Sequence, residues 1–219
     1  MQHVKKAIQI PKYSLSEELI SSISHGVGGL LGISALVLLV VFSAITGDPW
    51  KVASCAVYGA TLIILYTMST IYHALRVNKA KRVFRVIDHC SVFLLIAGTY
   101  TPFTLVSLRG VTGWWMFGVV WGAAVLGIVL NCVDLKKFAK FSMICYIAMG
   151  WVVILAIKPM INAVGASGMI FMLLGGIAYT IGAAIYGFGK KIKYMHSLWH
   201  FFVLAGSILQ FFTILFYVI

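Results

Sequence analysis

Long apolar runs alternate with short polar stretches along the whole chain. A helix that spans the hydrocarbon core of a bilayer needs about 20 mostly apolar residues. Because the hydrocarbon offers no hydrogen-bond partner to a bare backbone, each run must form a helix rather than an open strand. Seven runs are long enough, which predicts one all-α domain over residues 1–219, a bundle of seven transmembrane helices. The predicted helices cover residues 21–46, 50–74, 87–108, 112–131, 139–158, 167–188 and 196–218.

Composition supports a membrane protein. Of the 219 residues, 62% are hydrophobic and 10% are charged, whereas soluble domains have about 45–50% apolar and about 25% charged residues. The first apolar run is longer than the roughly 7–15 apolar residues of a signal peptide, and six similar runs follow it. We therefore predict that the first run is a retained helix and that the chain is a multi-pass protein of the cell membrane.

The distribution of basic residues predicts the orientation. The chain carries a formal net charge of +12, and its basic residues lie mainly in short connections, which argues against nucleic acid as a partner. Lys51, Arg109 and Lys158 lie singly in the first, third and fifth connections. Because positively charged connections stay in the cytoplasm, the N-terminus is predicted to be cytoplasmic and the C-terminus extracytoplasmic. The other fourteen basic residues, all on the predicted cytoplasmic side, are Lys5, Lys6, Lys12, Arg76, Lys79, Lys81, Arg82, Arg85, Lys136, Lys137, Lys140, Lys190, Lys191 and Lys193.

Glycine and proline positions predict how the helices pack. Gly28 and Gly32, and likewise Gly118 and Gly122, are four residues apart. Small residues at this spacing let two helix backbones approach closely. This pattern predicts packing within the bundle and leaves a homo-oligomer open. Pro102 is predicted to kink the third helix, since proline removes a backbone hydrogen bond.

Ionisable residues inside membrane helices are costly and indicate functional sites. Ser69 and His73 share one face near the cytoplasmic end of the second helix, because they are four residues apart. Asp88 begins the third helix, and His196 and His200, also four apart, begin the seventh. The alternating topology therefore brings three histidines and a carboxylate to one membrane depth.

Three imidazoles and a carboxylate suit a divalent transition metal, and catalytic zinc typically has three protein ligands and a water. We predict His73, His196 and His200 as ligands, with Asp88 either a fourth ligand or a base beside the metal. Ser69 could hydrogen-bond a ligand or that water. The alternative is that each histidine is an interfacial residue. We prefer that alternative for His89. Glu17 and Glu18 are expected to form a solvated first turn of the first helix. His25 could line the same cavity, but a packing or interfacial role is expected at least as strongly.

At these residues the chain resembles the hemolysin III group of bacterial membrane proteins, within the progestin and adipoQ receptor superfamily that includes the adiponectin receptors. The resembling segments are SHGVGG at 24–29, STIYH at 69–73, DHCSVFLLIAGTYTPF at 88–103 and HSLWH at 196–200. The resemblance implies a zinc site near the cytoplasmic face. It also implies that the matching histidines are ligands, that Asp88 contacts a water on the metal and that Ser69 is the family serine. Ser21 and Ser22 depart from an asparagine that many relatives have.

Three functions follow as hypotheses. The first is a zinc-dependent hydrolase of a lipid amide or ester with a role in membrane lipid homeostasis, because the superfamily includes alkaline ceramidases. Asp88 would then be catalytic, assisted by Ser69, with a membrane lipid as substrate. The second is a non-enzymatic receptor or sensor with structural zinc, and the third is a membrane-lytic protein. A transporter is disfavoured because no predicted helix carries a chain of charges, and a retinal pump because the seventh helix has no lysine.

Overall fold

The computed structural model describes residues 10–189 and 192–219, and the helical class is confirmed, since these residues contain no strand. A π-helix at Phe103–Ser107 follows α3, and a 3-10 helix at Val152–Ala156 follows α5. The α-helices are α1 (Leu15–Ile45), α2 (Pro49–Ala74), α3 (Lys79–Pro102), α4 (Val111–Asp134), α5 (Ala139–Gly150), α6 (Ile157–Phe188) and α7 (Met195–Tyr217).

Six helical segments of the described chain are long and apolar enough to cross a membrane. They are α1, α2, α3 with its π-helical extension, α4, the continuous segment from Ala139 to Gly187, and α7. Their outward faces carry large apolar side chains such as Leu30, Ile144 and Leu155, each more than half exposed. An apolar outer surface of this kind is matched by lipid rather than by water.

The segment from Ala139 to Gly187 is 49 residues long and turns back on itself. The Trp151 indole N–H donates to the Thr180 hydroxyl at 3.1 Å, although a straight helix would separate these residues by about 43 Å. Gly165 has φ 72° and ψ 171°, which interrupts α6. This interruption falls between the predicted helices 139–158 and 167–188, whereas the end of α5 at Gly150 and the 3-10 helix before Ile157 were not predicted.

Tyr100 of α3 stabilises the break after α5. Its hydroxyl donates to the Gly150 carbonyl at 2.7 Å and accepts the Val153 N–H at 3.1 Å. Irregular backbone is tolerated at membrane depth only where protein satisfies its polar groups. The buried Tyr100 hydroxyl therefore supplies one donor and one acceptor to the backbone where the regular helical hydrogen bonds stop.

Two helices begin earlier than the sequence predicts. Helix α1 begins at Leu15 because Ser14 and Glu17 form a reciprocal capping box. Helix α3 begins at Lys79, with the Asn78 side chain accepting from the Lys81 N–H at 2.8 Å. Charged residues ended the apolar runs used for prediction, but they continue the helices. The distortion expected at Pro102 occurs as the π-helix that follows it directly.

Glycine allows close approach in the α1–α2 pair. A Cβ atom added at Gly28 would lie 2.6 Å from the Tyr66 ring, and one at Gly32 would lie 3.5 Å from Ile63. The packing predicted for Gly28 and Gly32 is therefore confirmed. Within the described chain, no atom lies within 4 Å of a Cβ added to the second predicted pair, so that pair does not pack inside the bundle. These residues are Gly118 and Gly122.

The starts of α1, α3, α5 and α7 and the ends of α2, α4 and α6 meet at one end of the bundle, here called the basic end. Contacts that define it join Ser21 to Ser197 at 3.0 Å and Ser142 to Asn131 at 2.7 Å. Ten of the predicted cytoplasmic basic residues belong to this end. The other four, Lys5, Lys6, Lys190 and Lys191, lie outside the described residues.

Candidate metal centre

Three histidines from two helices converge at the basic end. His73 lies in the last turn of α2, and His196 and His200 lie near the start of α7. Residues four apart face the same side of a helix, so α7 presents both of its rings to α2. One ring nitrogen from each histidine lies within 4.8 Å of the other two, and the three could hold a metal ion.

The separations between the ring nitrogens approach those of a tetrahedral metal site. The Nε2 atom of His196 lies 3.1 Å from Nε2 of His73 and 3.2 Å from Nε2 of His200. Nitrogens bound tetrahedrally to one zinc ion at about 2.0–2.1 Å are about 3.3–3.4 Å apart. Small movements of the rings would therefore suffice to bind one ion. Because His73 and His200 are also buried, that ion would lie away from bulk water.

Glu18, in the first turn of α1, orients the His73 ring. Its Oε2 atom lies 2.6 Å from His73 Nδ1, and its Oε1 atom accepts from the Lys81 amine at 2.6 Å. A carboxylate only accepts hydrogen bonds, so Nδ1 carries the proton. The His73 Nε2 lone pair is then available to a metal, which is the arrangement that commonly supports metal-binding histidines.

The prediction of a solvated first turn is wrong for both glutamates, because distant segments cover them. Glu17 is buried, and besides capping α1 it accepts the Tyr194 N–H at 2.8 Å. Tyr194 has φ 65°, a conformation that is rare without glycine. Glu17 therefore secures the turn that leads into α7, while Glu18 contacts the histidine cluster itself.

Lys81 is a component of the site that sequence reasoning missed, since it was placed in a basic connection. The structure places it in the first turn of α3, with only 2% of its surface exposed. Its amine donates to Glu18 and, at 2.9 Å, to the Leu75 carbonyl. One available signal was the scarcity of acids, because the chain has only five, so a buried lysine has few possible carboxylate partners.

Asp88 and Ser69 are both buried beside the cluster, on the side formed by α2 and α3. The polar neighbours of the Asp88 carboxyl group include Ser69 and His73. The group of ligand atoms that lie within 4.8 Å of one another contains the three histidines and does not extend to Asp88. The roles of Asp88 as direct ligand or as base, and of Ser69 as its assistant, stay predictions.

Comparison with known proteins establishes the family. The family model described as Haemolysin-III related matches residues 13–211. The chain belongs to the hemolysin III family. It is similar to Hemolysin-3 of Bacillus cereus, with 40% identity over 94% of this chain and 93% of that protein. The Hemolysin-3 homolog of Bacillus subtilis (strain 168) is also 40% identical, over 94% of this chain and 96% of the relative.

A more distant likeness extends to animals. The Monocyte to macrophage differentiation factor of Homo sapiens is 23% identical over 83% of this chain and 77% of that protein. No solved structure matches the chain. Family membership together with six span-forming helices makes this hemolysin III protein a multi-pass protein of the cell membrane.

Two further histidines of this hemolysin III family member lie near the cluster. His25 of α1 is 1% exposed, and its ring centroid lies 3.7 Å from that of His200. It therefore packs directly against the site. His89, expected at the interface, borders two cavities, and its backbone carbonyl accepts the Tyr146 hydroxyl at 2.7 Å.

Aromatic rings enclose the histidine cluster. Tyr13, just before α1, stacks on His196 with ring centroids 4.7 Å apart and planes 14° apart. Burial raises the pKa of the Tyr13 hydroxyl above its ordinary range, so this hydroxyl stays protonated and neutral. Trp199 lies 5.1 Å from His200. These rings give the cluster an apolar cover on the sides that they contact.

A cavity of about 690 Å³ adjoins His196 at the basic end, and we call it the vestibule. Its walls come from the segment before α1 and from the basic-end portions of α3 to α7. The neighbouring serines of α1 also make polar contacts, because the Ser22 hydroxyl donates to the Thr70 carbonyl at 3.3 Å and Ser21 bonds Ser197. The departure from the family asparagine is therefore compatible with a polar role for this turn.

Proposed function

We propose that this protein is a seven-span hydrolase that uses zinc, bound by His73, His196 and His200, to cleave an amide or ester bond of a membrane lipid. The observation that carries the proposal is the convergence of three ring nitrogens, with Glu18 holding the proton of His73 away from the centre. A site built only for interfacial contact would not require three imidazoles to point at one another.

The proposed topology has a cytoplasmic N-terminus and an extracytoplasmic C-terminus. A segment of 49 residues would be about 73 Å long as a straight helix, more than twice the roughly 30 Å of hydrocarbon. The contact between Trp151 and Thr180 supports two crossings within it. The concentration of lysine and arginine at the basic end supports its cytoplasmic location.

The protein's own groups have complementary roles in the proposed reaction. A bound zinc ion would supply Lewis acidity toward a substrate carbonyl and a water molecule. Asp88 would accept a proton from the attacking water and transfer it to the departing amine or alcohol. Ser69 would keep the Asp88 carboxyl group oriented, and the rings of Tyr13 and Trp199 would limit access of other water molecules.

The metal site is tested by measuring the zinc content of purified protein. We expect about one zinc per chain in the wild type and loss of zinc in His196→Ala. His89→Ala is the matched control, because it removes an imidazole that is outside the converging group, and it should retain zinc. Undiminished zinc in His196→Ala would contradict the proposed ligand set.

Hydrolysis is tested separately with zinc-loaded protein and a panel of lipid amides and esters. Asp88→Asn should retain zinc and lose turnover, because the amide cannot accept the proton. Turnover that is equal in wild type and Asp88→Asn would rule out the assigned base.

A receptor or sensor with structural zinc is the second candidate. The contacts of Glu18 with His73 and Lys81 connect α1, α2 and α3, and the histidine cluster adds α7, so metal binding would lock four helices together. Zinc that raises thermal stability without any turnover across the lipid panel would favour this function over the hydrolase.

A further inference from the structure

The vestibule is strongly basic. Lys12, Lys140 and Lys193 line it with exposed side chains, and Arg85 and Lys136 add positive charge to its wall. Among the described residues that line it, one carries a carboxylate, Glu17. Both oxygens of that carboxylate already accept hydrogen bonds, Oε2 from Ser14 and Oε1 from the Tyr194 N–H. A concave wall with this excess of one sign attracts anions.

An apolar cavity lies beside the vestibule, within the bundle. The inner cavity has a volume of about 120 Å³ and shares His89, Met143, Tyr146 and Tyr186 with the vestibule wall. Its other walls are mainly aliphatic and aromatic side chains of α3, α5, α6 and α7. Basic and apolar volumes therefore share a common boundary, and His196 lies on the basic side of it.

The vestibule also contains a buried donor suited to an oxyanion or a carbonyl. Asn131 is 1% exposed and lines the vestibule. Its Oδ1 accepts the Ser142 hydroxyl at 2.7 Å, and its NH₂ group lies beside the Tyr146 hydroxyl without forming a hydrogen bond of normal geometry to any described residue. Together with the lysines, this amide gives the cavity donors for a phosphate group.

We propose that the vestibule binds the phosphate of an anionic membrane phospholipid, and that the inner apolar cavity takes a short part of one of its acyl chains. This inference rests on the proposed function in that it specifies the lipid class for the same site. Lysine ammonium groups bind phosphate as point charges, and the shared boundary accommodates the junction between headgroup and chain. The acyl carbonyl then comes near His196, while a neutral headgroup leaves the basic wall unmatched.

The test compares phosphatidylglycerol with phosphatidylcholine of identical acyl chains, each as a fluorescent probe titrated into the purified full chain in neutral detergent. We expect phosphatidylglycerol to bind more tightly than phosphatidylcholine. The triple variant Lys12→Gln/Lys140→Gln/Lys193→Gln, which removes the vestibule charges, should lower the affinity for phosphatidylglycerol at least about tenfold, because each basic residue near an anionic membrane surface raises the affinity roughly fivefold. Phosphatidylcholine binding should not change.

The matched control removes three exposed basic residues of the same end that do not line the vestibule, in Arg76→Gln/Lys79→Gln/Lys137→Gln. We expect it to bind phosphatidylglycerol as the wild type does. Equal loss in the two triple variants would overturn the proposal, because general surface charge would then explain the binding. Equal affinity for the two lipids would also overturn it.

A free anion as the ligand is distinguished by competition with inorganic phosphate. Displacement of the lipid probe by phosphate at micromolar concentration would assign the site to a soluble anion and overturn the lipid proposal. The His200→Ala variant, which removes a proposed metal ligand that does not line the vestibule, separates this inference from the hydrolase. It should still prefer phosphatidylglycerol after losing zinc, so a failure of the zinc chemistry and a failure of headgroup binding give different results.

Discussion

The Glu18 carboxylate is the residue that connects the histidine cluster to the rest of the bundle. It accepts from His73 Nδ1 and from the Lys81 amine, each at 2.6 Å. Lys81 is almost completely buried, and its amine also donates to the Leu75 carbonyl. The negative charge therefore interacts with two partners at once. Its contact with His73 affects metal affinity, and its contact with Lys81 affects the stability of the fold.

Replacing the carboxylate tests the first of these effects. Glu18→Gln should lower zinc affinity by about 10–100-fold, since a neutral amide is a weaker acceptor for the His73 ring proton. Zinc affinity is measured by competition with a coloured chelator. Glu17→Gln is the control, because Glu17 binds Ser14 and Tyr194 instead of the cluster. A wild-type affinity in Glu18→Gln would show that the carboxylate does not tune the ligand.

Removing the lysine tests the second effect. Lys81→Ala leaves Glu18 without its cationic partner, and breaking a buried ion pair typically costs about 3–5 kcal/mol. We expect the lower part of that range, because Glu18 is partly exposed. The measurement is thermal unfolding in detergent, and Lys79→Ala, which removes an exposed lysine of the same helical turn, should unfold like the wild type.

At the scale of helices, glycine determines how closely α3 and α4 approach. A Cβ atom added at Gly127 of α4 would lie 2.2 Å from the Phe93 ring of α3. Phe93 is fully buried, so its ring has little space into which to move. By contrast, Gly122 of the same helix has no atom within 4 Å of its added Cβ among the described residues.

This contrast gives a matched pair of substitutions. Gly127→Ala should destabilise the protein by about 1–3 kcal/mol, the usual cost of overpacking a core, and the melting temperature in detergent should fall. Gly122→Ala should leave the melting temperature unchanged if the protein is a monomer. A comparable fall in Gly122→Ala would indicate that this face of α4 is covered by another copy, in keeping with the open prediction of a homo-oligomer.

At the scale of the whole molecule, the number of crossings decides on which side each terminus lies. Seven crossings place the N-terminus and Ile219 on opposite sides of the membrane, whereas six place them on the same side. The fold-back between Trp151 and Thr180 and the charge difference between the two ends both favour the odd number.

Reporter fusions test this topology directly. Alkaline phosphatase, which is active only outside the cytoplasm, should be active when fused after Ile219 and inactive when fused after Leu135. A fluorescent protein that folds only in the cytoplasm should give the opposite pattern at the two positions. A cytoplasmic reporter after Ile219 would overturn the seven-span topology and the orientation of the vestibule that depends on it.

Apolar run length, residue spacing and the alternation of the connections were sufficient for the helical class, for the close packing at Gly28 and Gly32, and for the meeting of His73, His196 and His200 at one end of the bundle. These properties depend on local composition and on residue spacing, which are readable along one chain. Hydrophobic length placed most helix ends within a few residues. It failed where charged residues extend a helix, as at Lys79, because their solvation in the fold depends on neighbouring segments.

Only the tertiary structure decided which polar residues meet. Glu18 and Lys81 are 63 positions apart and looked like solvated residues in the sequence, yet packing of α2 against both α1 and α3 brings them into one largely buried pair. The basic vestibule likewise arises from contacts between distant segments. Which side chains are buried and which partners they bind depend on how the helices pack, so neither can be predicted from the spacing of residues along the chain.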